Sequence, residues 1–159
     1  MVVSRRGDPD AGAILMRLVR GPQTSDMTID ITTGVFSRLG KQPVVLQKES
    51  LGFIGNRMQF ALLREALSIV QEGIATAEDV DTVVKTSFGR RLAVAGPLEV
   101  FDIAGWDTIA AIIDQLFPDL ETGTETPGLV RDMVERGDLG VKSGQGFYQW
   151  DDDSVAALR

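Results

Sequence analysis

The chain has 159 residues, 43% of them hydrophobic and 25% charged, a formal net charge of −7, and neither cysteine nor histidine. That length suits one domain, or one domain plus part of another, and no apolar run approaches the ~18–20 residues of a membrane span. The two missing residue types exclude disulfides, thiolate nucleophiles, zinc-thiolate or imidazole metal sites and Ser-His-Asp catalysis, while the acidic balance argues against nucleic-acid and anionic-membrane partners.

Proton transfer at neutral pH is left to carboxylates, lysine, the single tyrosine or water. The charge is uneven: through Arg57 the chain carries eight basic and five acidic residues, and after it eight and eighteen. Asp8 to Asp10 stand where a signal peptide would place its apolar stretch, so a cytoplasmic protein is expected.

In chain order, residues 1–12 show no period and contain Gly7, Pro9 and Gly12, which predicts a loose tail. Ala13 to Val19 (AILMRLV) is an apolar run of strand length. Thr24, Ser25 and Asp26 are candidate caps for a helix with apolar positions Ile29, Phe36 and Leu39, which Gly40 closes. Pro43 to Gln47 reads as a second strand. Residues 13–50 thus form a βαβ unit, joining parallel strands through a crossover helix. Parallel sheets are normally larger and covered on both faces, so this unit reads as the end of a larger α/β domain whose strand 13–19 leaves an open edge.

From residue 51 to 150 the period is helical. Asn56 to Glu72 places Met58, Leu62, Leu63, Ala66, Leu67, Ile69 and Val70 on one broad arc, a pattern expected of a helix wrapped by others. Gly73 ends it, and Thr76-Ala77-Glu78-Asp79 opens the next with a capping box. A loop containing Gly89, Arg90 and Arg91 leads to Gly96-Pro97, which starts a third helix. Trp106 to Phe117 and Pro127 to Arg136 are the fourth and fifth. Phe147, Tyr148 and Trp150 are a candidate anchor that folds back on the helices, and residues 151–159 read as a tail. The expected fold is mainly α, about five helices behind the βαβ unit.

Gly144-Gln145-Gly146 lacks a third glycine and a strand-then-helix setting, so it reads as a turn and not a pyrophosphate cradle. Gly40-Lys41 lacks the upstream glycine and following hydroxyl of a phosphate loop. Arg90 and Arg91 are candidates for contacting a phosphorylated ligand, with a salt-bridge or solubility role as the alternative. Glu65 and Glu72 read as a solvated face. Asn56 falls on the arc shared with Leu63 and Leu67, where its carboxamide could donate to a substrate oxygen; capping of the helix start is the other reading. Five short helices carry more apolar surface than a domain of about a hundred residues buries by itself, which predicts a homodimer.

"LVRGPQTSD", "LGKQPVVLQKE", "GFIGNRMQFALLREALSIVQEGIATAEDVD", "GPLEVFDIAGWDT" and "LGVKSGQGFYQW" occur in that order, and together they resemble the C-terminal two-thirds of the 3-hydroxyacyl-CoA dehydrogenases over about residues 13 to 150. The gulonate dehydrogenase and lambda-crystallin branch is similar too. The resemblance implies a helical domain like the 6-phosphogluconate dehydrogenase C-terminal domain, following a Rossmann domain, in an enzyme that oxidises a 3-hydroxyacyl thioester with NAD. It implies that the helical domain contacts an acyl-CoA-type molecule and forms a dimer, and that Asn56 matches an asparagine near the reacting carbonyl.

The family's general base, a histidine before Asn-Pro, has no counterpart here, and Arg17 stands where the orienting glutamate is expected. The glycine-rich loop is also missing, so no cofactor and no metal are expected on this chain alone. A missing base costs on the order of 10²–10⁴ in rate. The expected role is therefore that of a fragment of such an enzyme, contributing substrate contacts and dimerisation but inactive alone. Alternatives are a stand-alone, non-catalytic homodimeric scaffold and a fragment of an L-gulonate dehydrogenase-like enzyme.

Overall fold

The computed structural model describes residues 2–4 and 15–158, and the chain divides into two compact units, Met1–Met58 and Gln59–Arg159. The division falls inside one long helix, a little after the expected domain boundary at residues 50 and 51.

The first unit is built on a three-stranded sheet of order β1-β2-β3, with β1 at Val2–Ser4, β2 at Leu15–Val19 and β3 at Gln42–Leu46. β2 and β3 run parallel in the register Leu15 to Gln42 through Val19 to Leu46, joined by helix α1, Asp26–Arg38. This is the expected βαβ unit. Ser25 caps α1 by accepting from the Thr28 backbone N–H. Its other end closes in a Schellman motif, with the Gly40 N–H on the Ser37 carbonyl and the Lys41 N–H on that of Phe36. Gly40 takes φ 72°, a conformation that costs a residue without a Cβ nothing.

Two expectations for this unit need correction. Residues 1–12 are not wholly a loose tail, because Val2–Ser4 pair antiparallel with β2; residues 5–12 lie outside the described ones. The edge of β2 is consequently not open. β2 is the central strand, with Met16, Leu18 and Val19 buried.

The second unit is helical. Helix α2, Phe53–Gln71, runs into it and ends at Gly73, again in a Schellman motif through the N–H groups of Gly73 and Ile74. Helix α3, Ala77–Thr86, opens with the expected capping box between Thr76 and Asp79. Next come α4 at Phe88–Arg91, α5 at Pro97–Ala104, α6 at Trp106–Leu116, α7 at Gly128–Arg136 and α8 at Asp152–Ala156. Single-turn α4 and α8 were expected as loop and tail. α8 forms because the Asp151 side chain caps it by accepting from the Ser154 N–H.

Burial is sparse in this unit. Among its described hydrophobic residues only Ile109 is buried. The expectation that α2 is wrapped on most of its circumference does not hold within one chain: Phe60 is 63% and Met58 50% exposed. The remaining helices are short, and close helix packing is concentrated between α3 and α4 and between α5 and α6, leaving α2 partly uncovered. What α2 does hold is the loop that follows α6. The Glu65 carboxylate accepts from the Glu121 N–H at 2.8 Å, and the Gln71 side-chain Oε1 from the Leu129 N–H at 3.1 Å in the first turn of α7.

Candidate functional site

In the first unit, β3 runs out at Leu46 and the chain reverses through Gly52 at φ 76° and Phe53 at φ 51° before α2 begins. A positive φ at phenylalanine is strained, and here it coincides with the Arg17 guanidinium stacked 4.9 Å from the Phe53 ring centre. Arg17, buried on β2, thus occupies the strand position where the resemblance calls for a glutamate.

The reversal places Asn56 inside the first turn of α2, one turn beyond Gly52. It is therefore not the helix cap. Asn56 is half-buried, and among the described residues its carboxamide has no hydrogen-bond partner. A half-buried amide with free donors and acceptor is equipped to bind something other than its own chain.

At the carboxyl end of β3 is an open depression of about 450 Å³ whose lining includes Leu46, Lys48, Phe53, Ile54 and Arg57 but not Asn56. The crevice outside the carboxyl ends of parallel strands is where open α/β sheets bind ligands. Lys48 and Arg57 give it two cations with no ion-pair partner among the described residues. Neither stands out in the sequence, where no motif marks Lys48 or Arg57. The signal that could have found them is the Gly52 turn, which folds the start of α2 back toward the end of β3.

In the second unit, Arg90 and Arg91 are exposed in the last turn of α4, neither in an ion pair among the described residues. Their exposure is compatible with either a solubility role or contact with a ligand. Arg90 and Arg91 belong to a different unit from Asn56. Glu65 is not a solvated carboxylate, since it binds the Glu121 N–H, while Glu72 accepts from the Ser68 hydroxyl.

The tail behaves as a structural anchor. The Tyr148 hydroxyl donates to Asp81 Oδ2 at 2.9 Å, and Tyr148 and Trp150 meet edge to face at 5.9 Å. Gly144-Gln145-Gly146 is a turn stitched by bridges of Gln145 to Gly140 and Gln149. A Cβ at Gly146 would lie 2.9 Å from the Gly140 Cα, so glycine serves close backbone approach here and not phosphate binding.

A pyrophosphate does not fit the start of α1. The helix following β2 has its N-terminus occupied by Ser25 and carries Asp26, paired with Arg20 at 2.5 Å, where a pyrophosphate would need free N–H groups and no negative charge. Among the described residues no group of three or more metal-binding side chains comes together. No helix there is long and apolar enough to cross a membrane.

Comparison with known proteins accounts for this arrangement. Residues 52–150 match the model of the 3-hydroxyacyl-CoA dehydrogenase C-terminal domain. The chain is 39% identical over 137 residues to a probable 3-hydroxybutyryl-CoA dehydrogenase of Deinococcus radiodurans, covering 86% of this chain and 48% of that protein. It is 31% identical over 145 residues to a 5-formyl-3-hydroxy-2-methylpyridine 4-carboxylate 5-dehydrogenase of Mesorhizobium japonicum, covering 91% and 47%. A solved structure of such a 5-dehydrogenase, described as an NAD+ dependent dismutase, superposes with a TM-score of 0.87 at 30% identity, covering 96% of this chain and 49% of that one. The chain spans about half the length of the curated relatives it matches. It belongs to the 3-hydroxyacyl-CoA dehydrogenase family, and residues 52–150 are the C-terminal domain of that family.

Proposed function

We propose that this chain supplies the substrate-contacting and pairing part of an NAD-dependent 3-hydroxyacyl-CoA dehydrogenase-type oxidoreductase, without catalysing hydride transfer by itself. The observation that carries the reading is Asn56: a half-buried carboxamide with no hydrogen-bond partner among the described residues, at the start of the helix that opens the family's C-terminal domain. Its N–H donors suit a thioester or keto oxygen, and donors held in place act most strongly on oxygens that gain charge. Arg90 and Arg91 suit the phosphates of a coenzyme A moiety. A cytoplasmic setting and a homodimer complete the proposal, the dimer on the ground that the helical unit buries so little of its own apolar surface.

The test is a pair of measurements on the purified chain. Acetoacetyl-CoA should bind in calorimetry, more weakly after Asn56→Ala, while turnover of 3-hydroxybutyryl-CoA with NAD stays at background. Turnover above background would overturn the inactive-alone reading, and unaltered binding in the variant would overturn the role of Asn56.

A second reading, a non-catalytic homodimeric scaffold, has its own support: β1 covers the edge of β2 that a broken sheet would leave open. A third, activity in the sugar-acid branch, is supported by 36% identity over 102 residues to the human lambda-crystallin homolog. No acyl-CoA binding at all favours the scaffold, and binding of L-gulonate in its place favours the third.

A further inference from the structure

Among the described residues Phe53 is the one non-glycine position held at a positive φ, 51°, directly after Gly52 at 76°. We propose that Arg17 is a positioning residue: its guanidinium, stacked on the Phe53 ring, holds this left-handed turn and through it fixes where Asn56 stands, a role that rests on the ligand-contacting reading of Asn56 above and adds the group that sets that contact.

The turn needs a holder. A left-handed backbone costs glycine nothing but is unfavourable for phenylalanine, whose Cβ crowds the neighbouring carbonyl oxygen. Charge near a helix start often helps to fix it, yet the first turn of α2 carries no acidic residue. The Phe53 N–H donates to the Ser50 carbonyl at 3.0 Å, a bond that closes the turn whichever residue stands there.

Arg17 supplies what is missing. It is buried at the middle of the central strand, paired with Ser4 on one side and Val44 on the other, and its guanidinium lies 4.9 Å from the Phe53 ring centre. A cation over a ring attracts most strongly where water is excluded, and the attraction is then of the same order as the cost of one left-handed residue. Because β2 is held by a strand on either side, the contact locates the ring relative to the sheet and not the reverse.

From the ring to Asn56 the path is short. A Cβ on Gly52 would meet the Asn56 Cβ and the Arg57 Cγ at 3.5 Å each, so the turn lies against the first turn of α2 and its geometry passes to Asn56 by direct contact. The same ring lines the depression at the end of β3. Within this chain there is no histidine for a carboxylate at position 17 to orient; the arginine there orients a turn instead.

Amide exchange and ligand binding by the full chain test the assignment. Arg17→Met removes the cation, Arg17→Lys keeps it, and Arg17→Met combined with Phe53→Gly makes the left-handed turn free of cost. The Phe53 N–H reports on the turn, and the Arg20 N–H, bonded to the Leu46 carbonyl, reports on the sheet. In Arg17→Met the Phe53 amide should exchange roughly tenfold faster relative to that of Arg20, a local opening and not a global one. Acetoacetyl-CoA binding should weaken roughly 3- to 10-fold in the same variant, the range set by a desolvated cation–π contact. Arg17→Lys should recover most of both, and the double variant should bind within about twofold of the parent, because glycine takes the turn unaided. A merely stabilising Arg17 would speed both amides alike, and that result overturns the proposal, as does binding lost in Arg17→Met and not regained in the double variant. Should Arg17→Met not fold, Phe53→Leu, which leaves Arg17 in place without its ring, carries the same comparison. A parent chain that binds no acetoacetyl-CoA refutes the ligand reading of Asn56, and the ratio of the two exchange rates then still decides whether Arg17 holds the turn.

Discussion

Tyr148 donates its hydroxyl to Asp81 Oδ2 across 2.9 Å, so that the C-terminal tail is fastened to α3 by the chain's single tyrosine. Burial raises the tyrosine pKa to about 12, and the hydrogen bond and charge of Asp81 push it the same way, with a smaller push from Glu78.

The first prediction is a titration. A folded-state pKa above the unfolded value of about 10 means that the tyrosine's contribution to stability is complete below pH 10 and is lost as pH rises toward 12. The tyrosinate absorbance of the folded chain should therefore rise near pH 12, and near 10 in urea. Tyr148→Phe should cost about 0.5–1.5 kcal/mol below pH 10, the net worth of one hydrogen bond, and should abolish the extra alkaline sensitivity. Identical ionisation in folded and unfolded protein would contradict the Tyr148–Asp81 tie.

A second prediction concerns Arg17 and Phe53. Phe53→Leu keeps apolar bulk but removes the ring beneath the guanidinium, and should destabilise the first unit by about 0.5–2 kcal/mol, the range of a cation–π contact. Phe53→Gly loses the same contact but relieves the positive φ of 51°, a relief on the order of 1 kcal/mol. Glycine should thus be tolerated almost as well as leucine here, contrary to its usual behaviour at a helix start. Urea denaturation of both variants measures it, and a glycine variant far weaker than the leucine one would contradict the strain argument.

These contacts separate what the sequence shows from what it hides. Ser25, Gly40, Gly73, Thr76 and Gly96-Pro97 are short-range signals, because caps and left-handed turns are decided within a few residues, and the structure uses each where it was read. The strand β1 was invisible because its partner, residues 17–19, is distant in sequence and the pairing depends on an edge that only the fold creates. α4 looked like a loop because Gly89 and paired arginines resemble one, yet the turn closes where Gly89 passes the Val84 carbonyl. Periodicity read α2 as enclosed, but a period reports which face is apolar and not whether the same chain covers it. In the candidate site Asn56 gained weight from the family resemblance, whereas Lys48 and Arg57 became neighbours only through the Gly52 turn.

The third prediction tests that close approach. A Cβ on Gly89 would fall 2.5 Å from the Val84 carbonyl oxygen, a backbone atom that cannot swing aside. Although alanine is ordinarily the better helix former, Gly89→Ala should destabilise the second unit by about 1–3 kcal/mol, the cost of overpacking. Thermal melting monitored by far-UV dichroism reads it, and a stabilised variant would show that α3 and α4 do not approach as described.

The last prediction addresses ligand contact through charge. Arg90 and Arg91 are exposed, unpaired among the described residues, and set in an otherwise acidic second unit, so whatever phosphate they meet is bound in competition with salt. Replacing both with alanine should weaken acetoacetyl-CoA binding roughly 5- to 20-fold at low salt, about 1–2 kcal/mol for exposed charge-assisted contacts. The loss should shrink in high salt, because screening already removes much of the attraction. Asn56→Ala should behave differently. A neutral hydrogen bond is worth about 0.5–1.5 kcal/mol, so binding should fall roughly 2- to 10-fold by the same amount at every salt concentration. Isotherms at two ionic strengths distinguish the two, and a salt-independent arginine effect would remove the phosphate from the account while leaving Asn56 its role.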